Sequence, residues 1–140
     1  MILLDTSGIL AAFDSAEPQH EVAARCLLAA RPPFLLSPFV LAEVDYLLLR
    51  HIGMQAETVF LQDVSHGAYK LEPFTGEDVA EALKVLHRYA DLRIGLAEAS
   101  IVVLAERHSA RDVLTLDERH FRTLRGPRGR PFRILPSDEG

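Results

Sequence analysis

Cysteine is nearly missing from this chain: Cys26 stands alone among 140 residues. A single thiol excludes an internal disulfide and suits a reducing compartment. Long apolar runs are missing as well. The longest stretch without a charge, residues 32–42, is far short of the ~20 apolar residues of a membrane span, and prolines interrupt it. The opening Met-Ile-Leu-Leu-Asp lacks the basic-then-apolar pattern of a signal peptide, so a cytoplasmic protein with no membrane role is expected.

Lysine is scarce, with only Lys70 and Lys84. Neither ends a late strand, where a phospho-accepting receiver domain needs one. The six histidines contain no i, i+4 pair, which argues against a zinc helix. There is no P-loop and no GxGxxG. A haloacid-dehalogenase-like phosphatase would want an Asp at position 7, where Ser stands. Ser7 itself has no histidine partner in view and reads as part of a helix start.

What the chain does contain is an ordinary globular composition, 49% hydrophobic and 25% charged, in one domain spanning residues 1–140. A chain of this size buries roughly 70% of its unfolded surface without staples. The net charge of −5 hides an asymmetry: residues 107–133 carry eight arginines against three acids, while the body before them is acidic. An acidic body with a basic end is able to combine a metal pocket with a phosphate-contacting rim, or simply to present a solvated surface.

Apolar periodicity alternates between strands and helices. Ile2–Leu4 is a short run of the kind buried on both faces of a sheet. A brief helix to Phe13 follows, then a helix from Pro18 to Ala30 and a strand at Phe34–Leu36. Ser37 and Pro38 form an N-cap and first-turn pair for a helix to about His51, closed by Gly53. Residues 54–64 read as a helix, and 68–72 as a strand or connector. Thr75 with Asp78 starts a helix that should turn Val79, Ala82, Leu83 and Leu86 inward. Gly95 opens an apolar helix to about His108. A strand at 113–116, a short helix at 117–124 and a last strand at 132–135 complete the chain. Such alternation predicts an α/β sandwich whose central sheet is mainly parallel, with ligands bound at the C-terminal ends of its strands.

Acids occur where an apolar pattern should exclude them. Asp5 follows the first strand, as an N-cap or as a site residue. Glu43 sits among Phe39, Val40, Tyr46 and Leu47, and a carboxylate buried in that stripe must be paired, protonated or metal-bound. Asp45 points about 200° away from it and reads as structural. Glu98 shares a helix face with Ile101 and Val102, with no capping box expected at Gly95. Asp117 ends the later strand as Asp5 ends the first, and Asp91 lies in the link before the Glu98 helix. Oxygen donors of this kind select Mg²⁺ or Mn²⁺. Two carboxylates about 4 Å apart repel by roughly 4 kcal/mol at an effective dielectric near 20, so a cluster needs a cation. A bound cation would support phosphodiester hydrolysis.

The blocks Leu-Leu-Asp5-Thr6-Ser7, Ser37-Pro38…Ala42-Glu43, Tyr89-Ala90-Asp91-Leu92…Gly95-Leu96-Ala97-Glu98-Ala99 and Leu114-Thr115-Leu116-Asp117-Glu118-Arg119-His120-Phe121 together resemble the PIN-domain ribonucleases. They look most like the VapC-type toxins of bacterial toxin–antitoxin pairs. The resemblance implies a PIN-like α/β/α sandwich with Asp5, Glu43, Glu98 and Asp117 converging as catalytic and metal-binding acids, and Asp91 as a further acid of the metal shell. It implies supporting hydroxyls at Thr6 and Thr115, an Mg²⁺ or Mn²⁺ cofactor and an RNA substrate in a tRNA or rRNA loop. A VapB-type antitoxin and a homodimer are its implied partners. Glu98 departs from the usual Asp by one methylene. Arg119, Arg122, Arg125, Arg128 and Arg130 are candidates for RNA contact. A PIN module that binds RNA without useful catalysis and a metal-dependent phosphatase remain as alternatives.

Overall fold

The computed structural model describes residues 1–139. Five short strands form one sheet in the order β3-β2-β1-β4-β5, every neighbouring pair parallel. They are β1 (Ile2–Leu4), β2 (Phe34–Leu36), β3 (Lys70–Leu71), β4 (Asp112–Leu114) and β5 (Arg133–Leu135). The helices are α1 (Thr6–Phe13), α2 (His20–Ala29), α3 (Pro38–His51), α4 (Met54–Ser65), α5 (Gly76–Arg88), α6 (Leu96–His108) and α7 (Glu118–Phe121). Single 3₁₀ turns lie at Ala90–Leu92 and Pro127–Gly129.

The central strand β1 is buried throughout, as its Ile-Leu-Leu run requires. From β1 the chain steps outward through β2 to β3, then returns across the sheet to β4 and β5. Right-handed crossovers therefore put α1 to α4 on one face and α5 to α7 on the other. The direction reverses between β2-β1 and β1-β4, which opens a crevice at the C-terminal ends of β1 and β4. Register fixes what lines it: Leu3 pairs with Val113 and Leu4 with Leu114, so Asp5 and Thr115 come next on adjacent strands.

Some boundaries move. The second helix starts at His20 rather than Pro18, and β4 ends at Leu114, leaving Thr115 and Leu116 outside the strand. The last helix is a single turn. On α5 the inward residues are Ala82 and Val85, while Val79 and Leu83 stay largely exposed. Among the described residues no helix is long and apolar enough to cross a membrane.

A buried carboxylate ties β3 to the end of α6. Glu72 is 3% exposed and bonded to His108, with Arg107 Nη1 3.3 Å away and Lys70 Nζ 3.6 Å away. Burial pushes its carboxyl up, but the bond and charge of His108, with Lys70 and Arg107, hold it below the usual carboxylate range. Asp45 faces α4, where its closeness to Glu57 is the main reason the Glu57 carboxyl is pushed up, and its Oδ1 is buried without a hydrogen-bond partner among the described residues.

Candidate active site

Asp5 occupies the N-cap position of α1 but caps nothing with its side chain. The carboxylate turns to the end of β4 instead. Thr115 Oγ1 donates to Asp5 Oδ2 at 2.6 Å, and Ser7 Oγ donates to the same oxygen at 3.2 Å. The two hydroxyls lie 3.1 Å apart. Each also takes a backbone N–H, Leu116 onto Ser7 at 2.9 Å and Asp117 onto Thr115 at 2.9 Å. One threonine thus sets the spacing between Asp5 and Asp117.

Asp5 is 5% exposed, and burial pushes its carboxyl up to about 6. The charge of nearby Glu98 pushes the same way, against hydrogen bonds from Thr115, Ser7 and the Thr6 backbone that pull it down. Glu98 lies in the first turn of α6, a helix tied to the start of α3. Ser100 of that helix and Ser37, the N-cap of α3, meet at 2.6 Å. Contrary to the expectation at Gly95, Glu98 Oε2 reaches back to accept the Gly95 N–H at 3.0 Å. A glycine has no side chain to give in return, so only half of the reciprocal box forms.

Asp117 caps the single-turn α7. Its Oδ1 accepts the His120 N–H at 3.0 Å, and its Oδ2 lies 2.7 Å from His120 Nδ1. That second contact is close but not aligned as a hydrogen bond, and Nδ1 is otherwise buried without a partner. One donor atom each from Glu98, Asp117 and His120 falls within 4.8 Å of the others. Two carboxylate oxygens and an imidazole nitrogen could hold a divalent cation. Asp5 supports that fit as a buried acid near Glu98 with no cation paired to it among the described residues.

The remaining expected residues are placed as follows. Thr115 bonds to Asp5, while Thr6 Oγ1 is buried without a hydrogen-bond partner among the described residues. Glu43 is exposed on α3, because the buried face of that helix is only Val40, Val44 and Leu48. The wider apolar stripe that includes Tyr46 reaches the surface, so the burial argument for Glu43 does not hold. Asp91 is exposed on its 3₁₀ turn. Arg122 is committed to Glu118 and Asp138, each at 2.8 Å, and Arg119 and Arg130 are exposed. Sequence reasoning missed Ser7 as a partner of Asp5, and it missed His120. The only signal for His120 was its i+3 spacing from Asp117 on a short helix.

The sequence matches the PIN domain family model over residues 2–126. The chain belongs to the PIN-domain family. The PIN domain here is 39% identical over 135 residues to Ribonuclease VapC26 of Mycobacterium tuberculosis, covering 96% of this chain and 100% of that protein. Its fold is similar to the crystal structure of Mycobacterium tuberculosis VapC20, described as a Sarcin-Ricin loop cleaving toxin. The TM-score is 0.78 at 21% identity, covering 84% of this chain and 90% of that one.

Proposed function

We propose that this PIN domain is a metal-dependent endoribonuclease of the VapC toxin type, cutting a loop of structured cellular RNA. The observation that carries the reading is the Asp5–Thr115–Asp117 linkage facing Glu98 at the switch point of the sheet. Full-length identity to a ribonuclease supports it. Asp5, Glu98 and Asp117 would hold Mg²⁺ or Mn²⁺, with Glu43 and Asp91 as further acids of the metal shell. His120 adds a nitrogen donor, which favours Mn²⁺ over Mg²⁺. Such a cation supplies Lewis acidity at the phosphoryl oxygen and a water ionisable near neutral pH.

The chain's own groups do the positioning. Thr115 and Ser7 fix the Asp5 carboxylate in one rotamer, and the Asp117 cap on α7 fixes the second acid. Arg119 and Arg130 are free to meet phosphates, while Arg122 must first leave its two acids. A cytoplasmic homodimer silenced by a VapB-type antitoxin completes the reading.

Purified protein freed of antitoxin should cut total cellular RNA into discrete fragments with Mn²⁺ or Mg²⁺. EDTA and the Asp5→Asn substitution should each abolish the cutting. Intact RNA in every lane would reject the hydrolase and leave an RNA-binding module.

A further inference from the structure

A cationic concavity lies away from the acidic cluster of Asp5, Glu98 and Asp117. A groove of about 590 Å³ runs between α5 and α6 and is closed by the loop at residues 125–129. Val85, Val102 and Val103 give it apolar walls, and Arg88, Arg125 and Arg128 line it with them. Of its other charges, all but Glu106 are ion-paired. Arg107 binds Asp78 at 2.9 Å and Glu72 at 3.3 Å, and Lys84 binds Glu81 at 2.9 Å. Glu106 accepts the Arg128 backbone N–H at 3.2 Å. The guanidinium groups of Arg88, Arg125 and Arg128 have no carboxylate within ion-pair reach among the described residues. Three guanidinium groups without an ion pair, against the one unpaired carboxylate of Glu106, leave the groove an excess of positive charge on a chain whose net charge is −5.

The loop that presents two of them is built rather than slack. Gly126 N–H bonds to the Arg130 carbonyl at 2.7 Å, and Arg125 N–H to Tyr89 Oη at 3.3 Å. Arg128 is held at φ 57°, a left-handed conformation that costs a long side chain energy. The groove also leads from the acids. Glu98 opens α6, and Glu106 lies eight residues along it, about 12 Å by helical rise. Because Asp78 at the start of α5 meets Arg107 at the end of α6, the two helices run antiparallel and Arg88 sits toward the Glu98 end.

We propose that the α5–α6 groove is a second RNA-contact site, in which Arg88, Arg125 and Arg128 grip backbone phosphates of a strand extending from the acidic cluster. The inference rests on the ribonuclease reading. Guanidinium forks match phosphate oxygens, and the valine walls accept the flat face of a base. Sequence spacing singles out Arg125 and Arg128; Arg88 joins them only across the fold.

The test measures binding apart from cleavage. Asp5→Asn protein is titrated against fluorescein-labelled polyuridine of roughly 20 nucleotides, by anisotropy across a salt series. Adding Arg88→Ala, Arg125→Ala and Arg128→Gly together should weaken binding on the order of tenfold and flatten the salt slope by about 2. Glycine is used at position 128 because it accepts the positive φ. An unchanged thermal midpoint shows that the variant is folded. Arg25→Ala on α2, a distant exposed arginine, should change neither quantity.

Equal affinity and slope in the triple variant would overturn the site, as would an equal loss from Arg25→Ala. Loss of a polyglutamate peptide with RNA binding intact would instead give the groove to an acidic protein segment. Cleavage by the wild-type chain is scored separately. Its absence rejects the hydrolase, while the anisotropy comparison still decides the groove.

Discussion

Above pH 6 the Asp5 carboxylate is charged and buried beside Glu98, and that charge opposes folding. An unfolded Asp ionises near pH 3.9, so between about 4 and 6 the folded chain holds a proton that the unfolded chain has lost. Stability contributed by this group therefore falls as pH rises through that window. In EDTA, Asp5→Asn should gain about 3 kcal/mol relative to wild type between pH 4 and pH 7.5, measured by urea unfolding. A difference independent of pH would show that Asp5 is not perturbed. Ser7→Ala is the complementary change. It leaves the Leu116 N–H without an acceptor and frees Asp5, costing about 1 kcal/mol of stability and a larger share of activity. Activity equal to wild type would remove Ser7 from the positioning network. Asp5 and Asp117 were legible because each ends an apolar strand run. Ser7 was not, since its partner Thr115 lies 108 residues away and only the β1–β4 register brings them together.

At the level of elements, the site depends on how closely α1 approaches β4. A methyl group on Gly8 would collide with the Leu114 carbonyl and lie 2.8 Å from the Leu114 Cγ. Gly8→Ala should therefore cost about 3 kcal/mol, read as a lower urea midpoint, with loss of cleavage as Asp5 moves with the helix. Wild-type stability in that variant would mean that the helix shifts freely. The joint between β3 and α6 behaves differently. Glu72→Ala removes the buried carboxylate that Lys70, Arg107 and His108 share, leaving Asp78 to pair only Arg107, and should cost about 3 kcal/mol. Because the Glu72 carboxyl is held below its ordinary range, its contribution is complete at neutral pH and fades as acid takes the pH down through that lowered value. Acid titration of wild type against Glu72→Gln should show that fading. The capping signals at Ser37 and Thr75 were readable, because an N-cap is local chemistry. The inward face of α5 was not. Its apolar pattern is broad enough to fit two rotations, and packing against α6 chose Ala82 and Val85 over Val79 and Leu83.

Over the whole molecule, carboxylate repulsion and cation binding are two sides of one balance. Millimolar Mn²⁺ should raise the thermal midpoint of the wild type, and Glu98→Ala should lose most of that rise. An equal rise in both proteins would place the cation elsewhere. Fold class followed from the strand–helix alternation, and the location of the site followed from the parallel topology. The exposure of Glu43 did not follow, because a helix stripe does not say which part of its width the sheet covers. The bond between Thr115 and Asp5 joins residues 110 positions apart. A chain still leaving the ribosome that already carries Asp5 lacks the Thr115 hydroxyl that holds it until β4 and the residues after it arrive. The acidic cluster therefore assembles only after the whole interval from β1 to β4 has been made.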